Sequence, residues 1–206
     1  MRKLNWLLGA ALLCAAPAFA DGIIFTSDGL GDIGKTDTFK QGVISIFVTG
    51  YASPGVQADL WAKNEGAIGG SPEQGIGLAG EVDHEIAGSQ FVQINVAAAN
   101  AAGLTQQTLS VDSVQAGESY NVWGSNTAGA LGTLIGGGLT SPTFTFTNTG
   151  FTFIGISSNA GDVALDDAMF APPVGVATPE GASTAAFLLM GLLGLGILTA
   201  KKRVSP

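Results

Sequence analysis

The chain has 206 residues, of which 16 are acidic and eight are basic, and its formal net charge at pH 7 is −8. Five of the basic residues lie near the two ends, so residues 21–178 carry 15 acidic residues against three lysines, a formal charge of −12. A surface of this sign repels phosphate backbones, which argues against nucleic-acid binding. It also disfavours anionic membranes and acidic polysaccharides unless divalent cations bridge the charges.

The first 20 residues have the order of parts of a secretory signal peptide. Two basic residues precede an apolar run over residues 7–16, and Ala18 and Ala20 form a small-x-small cleavage site. The apolar run is shorter than the roughly 20 residues that a membrane-spanning helix needs. We therefore expect export through the Sec translocon and cleavage after Ala20.

The mature chain is expected to contain no cysteine, because Cys14 lies within the signal peptide. An exported protein without disulfides depends for its stability on its apolar core or on bound metal ions. Residues 21–170 are the predicted folded part, and their length suits a single domain. Glycine, asparagine, aspartate and proline interrupt short runs rich in valine, isoleucine, threonine and phenylalanine, which is the pattern of an all-β sandwich or barrel.

Alternation of apolar and polar residues at period two identifies individual strands. The clearest are residues 91–96 and residues 143–147, where two phenylalanines alternate with three threonines. Residues 151–156 are apolar on both faces, which indicates a central strand, and we expect them to form a hairpin with residues 143–147. Residues 96–104 favour either a short helix or a transverse loop, and the triple glycine 136–138 predicts a hairpin tip. Further predicted strands are residues 43–49, 56–62, 108–114, 119–123 and 162–170.

The densest polar cluster is the segment 81–85, which follows a Gly-rich run over residues 75–80. Such a run can bring backbone carbonyls close to carboxylates, and calcium takes about six to eight oxygen ligands of these two kinds. Glu81, Asp83 and Glu85 are therefore candidate calcium ligands, although their spacing is not that of an EF-hand. The alternative is a solvated loop.

A second acidic pair, Asp166 and Asp167, lies inside an apolar strand pattern. A strand of this type resembles the last strand of many carbohydrate-binding sandwiches, which implies that the pair helps to ligate a structural calcium ion. Neighbouring side chains in a strand point to opposite faces, so only one of the two is expected to face a buried ion. The alternative is hydrogen bonding to a neighbouring loop.

Two tryptophans, Trp61 and Trp123, are candidate platforms for stacking on sugar rings, with packing in the core or across strands as the alternative. No comparable pattern predicts catalysis. His84 is the only histidine, whereas a zinc site normally takes several histidine or cysteine ligands. No Gly-x-Ser-x-Gly elbow accompanies it, so we expect no enzymatic activity.

The C-terminal part combines a Pro-rich linker with an apolar segment. Residues 171–181 predict an extended linker, and residues 182–200 are apolar or small apart from three hydroxyl residues. A helix over the apolar residues would be about 28 Å long, close to the hydrocarbon thickness of a bilayer. Lys201, Lys202 and Arg203 then mark the cytoplasmic end. We therefore predict a transmembrane helix with a basic tail over residues 182–206, which tethers the protein to the inner membrane.

This C-terminal arrangement resembles the PEP-CTERM sorting signal of Gram-negative bacteria, in which a Pro-Glu-Pro segment precedes an apolar helix and a basic cluster. Pro179 and Glu180 match its first two positions, and Gly181 stands where the usual signal has proline. The resemblance implies recognition by an exosortase-type membrane protease that releases or transfers the body of the protein.

The body carries a series of short motifs at residues 58–64, 73–78, 83–86, 122–126, 131–134 and 161–165. With these motifs, the body from about residue 26 to residue 170 is similar to a recurring family of PEP-CTERM proteins. The resemblance implies a single jelly-roll-like, galactose-binding-like β-sandwich and implies no catalysis. We therefore expect a non-enzymatic, exported protein of the cell surface or extracellular matrix, associated with exopolysaccharide or biofilm. A carbohydrate-binding module with a structural calcium site is the alternative.

Overall fold

The structure is a computed structural model that describes residues 22–26, 29–68 and 71–173. These residues belong to one unit of the chain, Phe19–Val174. The predicted signal peptide, sorting segment and C-terminal helix with its basic tail lie outside the described residues. Among the described residues, no helix has the length and apolar character needed to cross a membrane.

The described part of the chain is built almost entirely of strands, with one five-residue helix, α1 (Ala97–Ala101). The strands are β1 (Ile23–Ile24), β2 (Gly31–Gly34), β3 (Thr36–Gln41), β4 (Ile44–Ser53), β5 (Val56–Ala58), β6 (Leu60–Ile68), β7 (Ser71–Leu78), β8 (Ile86–Ala87), β9 (Phe91–Asn95), β10 (Gln106–Asp112), β11 (Ser119–Ser125), β12 (Thr133–Leu139), β13 (Thr143–Thr147), β14 (Phe153–Ala160) and β15 (Asp162–Ala171).

The strands form two antiparallel sheets, which confirms the predicted all-β class. Sheet A has the order β13-β10-β15-β7-β6-β2, and β15 also pairs with β1 and β8. Sheet B has the order β12-β11-β14-β9-β4-β3, and β5 also pairs with β4. The chain passes from sheet B to sheet A at Asp59, between β5 and β6, so the strand predicted over residues 56–62 is two strands in different sheets.

The core lies between the sheets, because each strand turns one face of its period-two pattern inward. In β4, Ile46 and Val48 are fully buried, whereas Phe47 between them is 50% exposed. Buried apolar side chains of both sheets belong to one cluster. The sheets approach closely at Gly50 of sheet B, where a Cβ atom would lie 2.6 Å from Cδ2 of Leu78 in sheet A.

The hairpin predicted between residues 143–147 and 151–156 is wrong. β13 pairs with β10 in sheet A, whereas β14 is a central strand of sheet B between β11 and β9. Asn148 shapes the connection between the two sheets, since its Oδ1 accepts hydrogen bonds from the backbone N–H groups of Gly150 (3.0 Å) and Phe151 (2.8 Å). The same local turn can end in a hairpin or in a crossing between sheets.

The hairpin tip predicted at residues 136–138 is also wrong, because these glycines lie within β12 and beside β11. A Cβ atom on Gly136 would lie 2.8 Å from Cζ of Phe144, and Gly138 has a φ of 60°. The pairing of β12 with β11 contains two register shifts. The glycines therefore accommodate an aromatic ring and an irregular edge strand, not a turn.

Candidate functional site

A buried ionic cluster, here named the Lys63 cluster, comprises Lys63, Glu73, Glu85 and Ser113. Lys63 lies on the side of β6 opposite the core-facing Ala62. Its Nζ donates hydrogen bonds to Oε2 of Glu73 (2.7 Å) and to Oε1 of Glu85. The hydroxyl of Ser113 donates to the same oxygen of Glu85 at 2.8 Å. All four residues are buried, and Lys63 is only 2% exposed.

Two glycines of β7 make room for this cluster. Gly75 and Gly77 lie directly opposite Lys63 and Trp61 in the pairing of β6 with β7. A Cβ atom on Gly77 would overlap the backbone oxygen of His84, and one on Gly75 would lie 2.6 Å from the backbone oxygen of Leu165. Residues 75–78 of the Gly-rich run therefore belong to a strand. The missing side chain of Gly77 lets the segment that contains His84 and Glu85 pass over the sheet.

The cluster contains one ammonium group and two carboxylates, so it carries one excess negative charge when all three are ionised. Burial alone would lower the pKa of Lys63, but the hydrogen bonds and charges of Glu73 and Glu85 raise it overall. Burial raises the pKa of the Glu85 carboxyl, and this effect outweighs the lowering by Lys63 and Ser113. The two pKa shifts have compatible directions, because the surplus negative charge of the cluster keeps the proton on Lys63 and also favours a proton on a carboxyl.

Backbone strain accompanies the cluster. His84, with a φ of 57°, and Ser113, with a φ of 63°, are the only non-glycine residues with positive φ in the described part of the chain. His84 directly precedes Glu85, and Ser113 is its hydroxyl donor. Each such backbone conformation costs about 1 kcal/mol or more, so it persists only where the surrounding packing enforces it.

The predicted calcium ligands of the segment 81–85 have different partners. Glu81 accepts a hydrogen bond from Nε2 of Gln90, and Asp83 is exposed and offers its backbone oxygen to Lys63 at 3.1 Å. Glu85 faces the ammonium group of Lys63. Within the described ranges, no three acidic or histidine side chains form a group that could hold a metal ion. Calcium binding by this segment stays a prediction.

The second acidic pair lies at a β-bulge of β15. In its pairing with β10, Asp167 stands opposite Ser110 and Leu165 stands opposite Val111, so Asp166 is an extra residue without a partner in the register. The strict alternation expected for this pair is therefore wrong, because a bulge interrupts the period of two.

The environment of this pair disfavours ionisation. Burial raises the pKa of Asp166 to about 6, and the charges of Asp112 and Asp167 add to the increase, while a hydrogen bond from Nε2 of Gln74 at 2.8 Å opposes it. Burial likewise raises the pKa values of Asp112 and Asp167. A cation at this position would relieve the mutual repulsion, so calcium at Asp166 and Asp167 also stays a prediction.

The two predicted sugar-stacking residues lie on different sheets. Trp61 of sheet A stacks on His84 with ring centroids 4.0 Å apart and an interplanar angle of 18°, so the imidazole covers one face of the indole. Trp123 of sheet B is half-buried, and its Nε1 donates a hydrogen bond to Oγ of Ser157 at 2.9 Å. The structure therefore does not bring the two indoles into one groove.

The outer face of sheet B, which is the side of its strands opposite the core, carries no carboxylate in the described strands. Asp37 is the only acidic residue in those strands, and it pairs with the core-facing Val48. Residues 119–161, which include three strands of sheet B, contain no charged residue at all. The remaining acidic residues of the described strands belong to sheet A.

The acid-free face presents amides, hydroxyls and aromatic rings. Its centre is covered by the segment 126–131, since Gln93 donates to the backbone oxygen of Ala130 at 3.0 Å and accepts from the backbone N–H of Gly129 at 2.9 Å. Phe47 on one side of this cover is 50% exposed, and Trp123 lies half-buried on the other. Such a surface contacts neutral polar ligands more readily than ions.

Sequence reasoning missed Lys63, Glu73 and Ser113 as members of a site. One signal was available, because Lys63 is one of three lysines between residues 21 and 178 and lies in a strand pattern. The chain matches no protein-family model, and neither the curated proteins nor the solved structures contain a match. Function must therefore be inferred from the residues and their geometry.

Proposed function

We propose that the chain is a non-enzymatic, exported protein of the cell surface or extracellular matrix, associated with exopolysaccharide or biofilm. The acid-free outer face of sheet B supports this proposal, because it belongs to a body whose formal charge is −12. Apart from Lys40 on its edge strand β3, this face presents uncharged amide, hydroxyl and aromatic groups, which suit contact with neutral polysaccharide, whereas the acidic sheet A keeps the protein soluble.

The route to the surface rests on the two ends of the sequence. Ala18 and Ala20 supply the cleavage site for export through the Sec translocon, and Pro179 with Glu180 supplies the PEP-CTERM-like segment for an exosortase-type protease. The basic residues 201–203 hold the tail at the cytoplasmic side of the inner membrane until processing. The final location is the cell surface or the extracellular space.

Mass mapping of both ends of the protein, isolated from its host, tests this route. We expect an N-terminus at Asp21 in all exported protein, and a C-terminus near Glu180 in the part that has left the membrane. A full-length chain recovered from the cytosol would overturn the proposed location and the matrix role with it.

A jelly-roll-like, galactose-binding-like topology is part of the same proposal. The two antiparallel sheets around one core support it, as does the passage of the chain between sheets at Asp59 and at Asn148. An experimental structure of this protein tests the topology directly. We expect the same strand order in both sheets and the same crossings between sheets at Asp59 and Asn148.

A carbohydrate-binding module is the second candidate, because Trp123 lies half-buried on the acid-free face beside Asn121, which shares its strand. A glycan array with the exported protein should show selective binding to neutral glycans that is lost in Trp123→Ala. Trp61→Ala is the matched control, since Trp61 lies on sheet A and should leave binding unchanged. A flat array profile would exclude the module while leaving the matrix role intact.

The calcium site of this second candidate has its own measurement. Calcium held by Asp166 and Asp167 would raise the melting temperature of the wild type in millimolar calcium, and Asp166→Asn would remove that increase. Equal melting temperatures in calcium and in excess EGTA would end the calcium proposal.

A further inference from the structure

We propose that Lys63 and Glu85 condense into an intramolecular isopeptide bond, with Glu73 carrying the protons. The bond would join Nζ of Lys63 in β6 to Cδ of Glu85, which directly precedes β8. This modification is independent of the proposed matrix role, because it concerns how the domain is held together and not what it binds.

The geometry holds the reacting groups together. Lys63 Nζ is in direct contact with Oε1 of Glu85, and the two residues are only 2% and 3% exposed. The backbone oxygen of Asp83 accepts a further hydrogen bond from Nζ at 3.1 Å and fixes the position of the amine. Groups held in contact in this way react at effective concentrations far above those of free solutes.

Glu73 lies where a proton carrier is needed. Its Oε2 is 2.7 Å from Lys63 Nζ, and its side chain is 10% exposed, against 5% for that of Glu85. Glu85 is therefore the slightly more enclosed carboxyl, and its hydrogen bond from Ser113 favours it as the acyl group. Ser113 donates a hydrogen bond to Oε1 of Glu85 at 2.8 Å, which would stabilise negative charge on that oxygen during attack.

The reaction balances without an added reagent. Glu73 takes one proton from the Lys63 ammonium, and the neutral amine attacks Cδ of Glu85. Glu73 passes this first proton to the carboxylate of Glu85. It then takes a second proton from the attacking nitrogen and passes it to the same oxygen of Glu85. That oxygen leaves as water. An ammonium and a carboxylate are thus converted into one amide and one water molecule, and Glu73 ends as a carboxylate.

Burial supplies a driving force for this condensation. Two buried ions are costly to keep out of water, whereas an amide has no charge to desolvate. The Glu73 carboxylate remains, and it accepts a hydrogen bond from Nε2 of Gln115 at 3.4 Å. Burial raises the pKa of Glu85, which favours its reactive neutral acid, although Lys63 must lose a proton against its own raised pKa. An open cleft of about 430 Å³, lined in part by Ser113 and Gln115, adjoins the cluster and gives the released water an exit.

A single cysteine also allows no disulfide within the chain. Its single cysteine precedes the predicted cleavage site, so the exported protein would have no disulfide. An isopeptide bond between residues that are 22 positions apart would tie the segment 79–85 to sheet A and restrict the unfolded chain in the way that a disulfide does.

The mass of the unfolded full-length or exported protein tests the proposal, because denaturation separates an ion pair but not an amide. We expect a mass below that of the mapped sequence by one water, about 18 Da. Trypsin should then fail to cut the denatured chain after Lys63. In Lys63→Arg the guanidinium stays protonated and cannot attack, so that variant and Glu85→Ala should each have the mass of their sequences.

A wild-type mass equal to that of the sequence, together with tryptic cleavage after Lys63, would overturn the proposal whatever the stability of the variants. Glu73→Gln tests the proton carrier, since it keeps both reacting groups. We expect its condensation to be slower than that of the wild type by about 100-fold, the usual contribution of a positioned acid–base group. Condensation at the wild-type rate would overturn the assignment of Glu73.

Discussion

Gly77 shows how one missing side chain positions the segment that covers sheet A. In Gly77→Ala, the new Cβ atom would overlap the backbone oxygen of His84, and Gly77 itself is held in place by the pairing of β6 with β7. We expect the free energy of unfolding to fall by about 2–3 kcal/mol, the cost of forcing a group into a packed site.

Urea unfolding measures this effect, and Gly80→Ala is the matched control. A Cβ atom on Gly80 would meet nothing within 4 Å, so that change should alter stability by less than about 0.5 kcal/mol. Equal losses in the two variants would mean that the close approach of His84 to β7 does not exist in solution.

Asp166 gives the protein a pH dependence of definite sign. Its pKa of about 6 in the folded state exceeds the ordinary value of 3.8, so the folded state binds this proton more tightly than the unfolded state does. The resulting stability is fully present below pH 3.8 and is lost as the pH rises through 6. Because the side chain is partly exposed, we expect about 1 kcal/mol from this group after solvent screening.

Asp166→Asn removes the titration and keeps an acceptor for Gln74. The variant should therefore be more stable than the wild type at pH 7 and should lose part of the decline in melting temperature between pH 4 and pH 7. Asp59→Asn removes one charge from an exposed residue and serves as the control for net charge. Destabilisation of Asp166→Asn at pH 7 would contradict the raised pKa.

At the scale of elements, the Lys63 cluster connects β6, β7 and the segment that leads to β8. Lys63→Met removes the amine, whether it is ion-paired or condensed with Glu85, and leaves Glu73 and Glu85 buried without a positive partner. Such a loss costs about 3–5 kcal/mol. The loss should shrink as the pH falls, since protonation removes the unpaired charges. Chemical denaturation at pH 7 and pH 5 measures both effects, and a variant as stable as the wild type at pH 7 would show that the cluster is not buried.

Period-two patterns predicted the strands well, because alternation depends only on which face of a strand meets the core. Residues 91–96 correspond closely to β9, and residues 151–156, which are apolar on both faces, overlap the first half of β14; both strands lie inside sheet B. Pairing was harder to predict, because the turn at Asn148 is closed by local hydrogen bonds whichever sheet the chain enters next. The hairpin prediction failed for that reason.

The Lys63 cluster could not be predicted from local patterns. It depends on Glu73 and Glu85, which are 10 and 22 residues from Lys63 in the chain and reach it only through the β6–β7 pairing and the crossing segment. The Gly-x-Gly pattern was visible, but a glycine that allows close backbone approach looks the same in a sequence as a glycine in a loop.

At the scale of the whole molecule, the acidic residues of the described strands are concentrated in sheet A, with Asp37 as the exception. The uncharged run 119–161 is visible in the sequence, yet it supplies only part of the acid-free face. β4 and β9 complete that face from distant positions in the chain, and only the strand order brings them together. An acidic protein can thereby present one surface on which its own charge does not oppose contact.

This division predicts how binding responds to salt. Contact between the acid-free face and a neutral polysaccharide involves no ion pairs, so its affinity should stay constant as sodium chloride rises from about 0.05 to 0.5 M, a range in which the Debye length falls to a few ångströms. Association bridged by divalent cations through the acidic residues of sheet A would instead weaken with salt and vanish in EGTA. Retention on an immobilised neutral glucan, measured across this range with and without EGTA, separates the two modes. Retention that falls steeply with salt would place the contact on sheet A and remove the acid-free face from the functional surface.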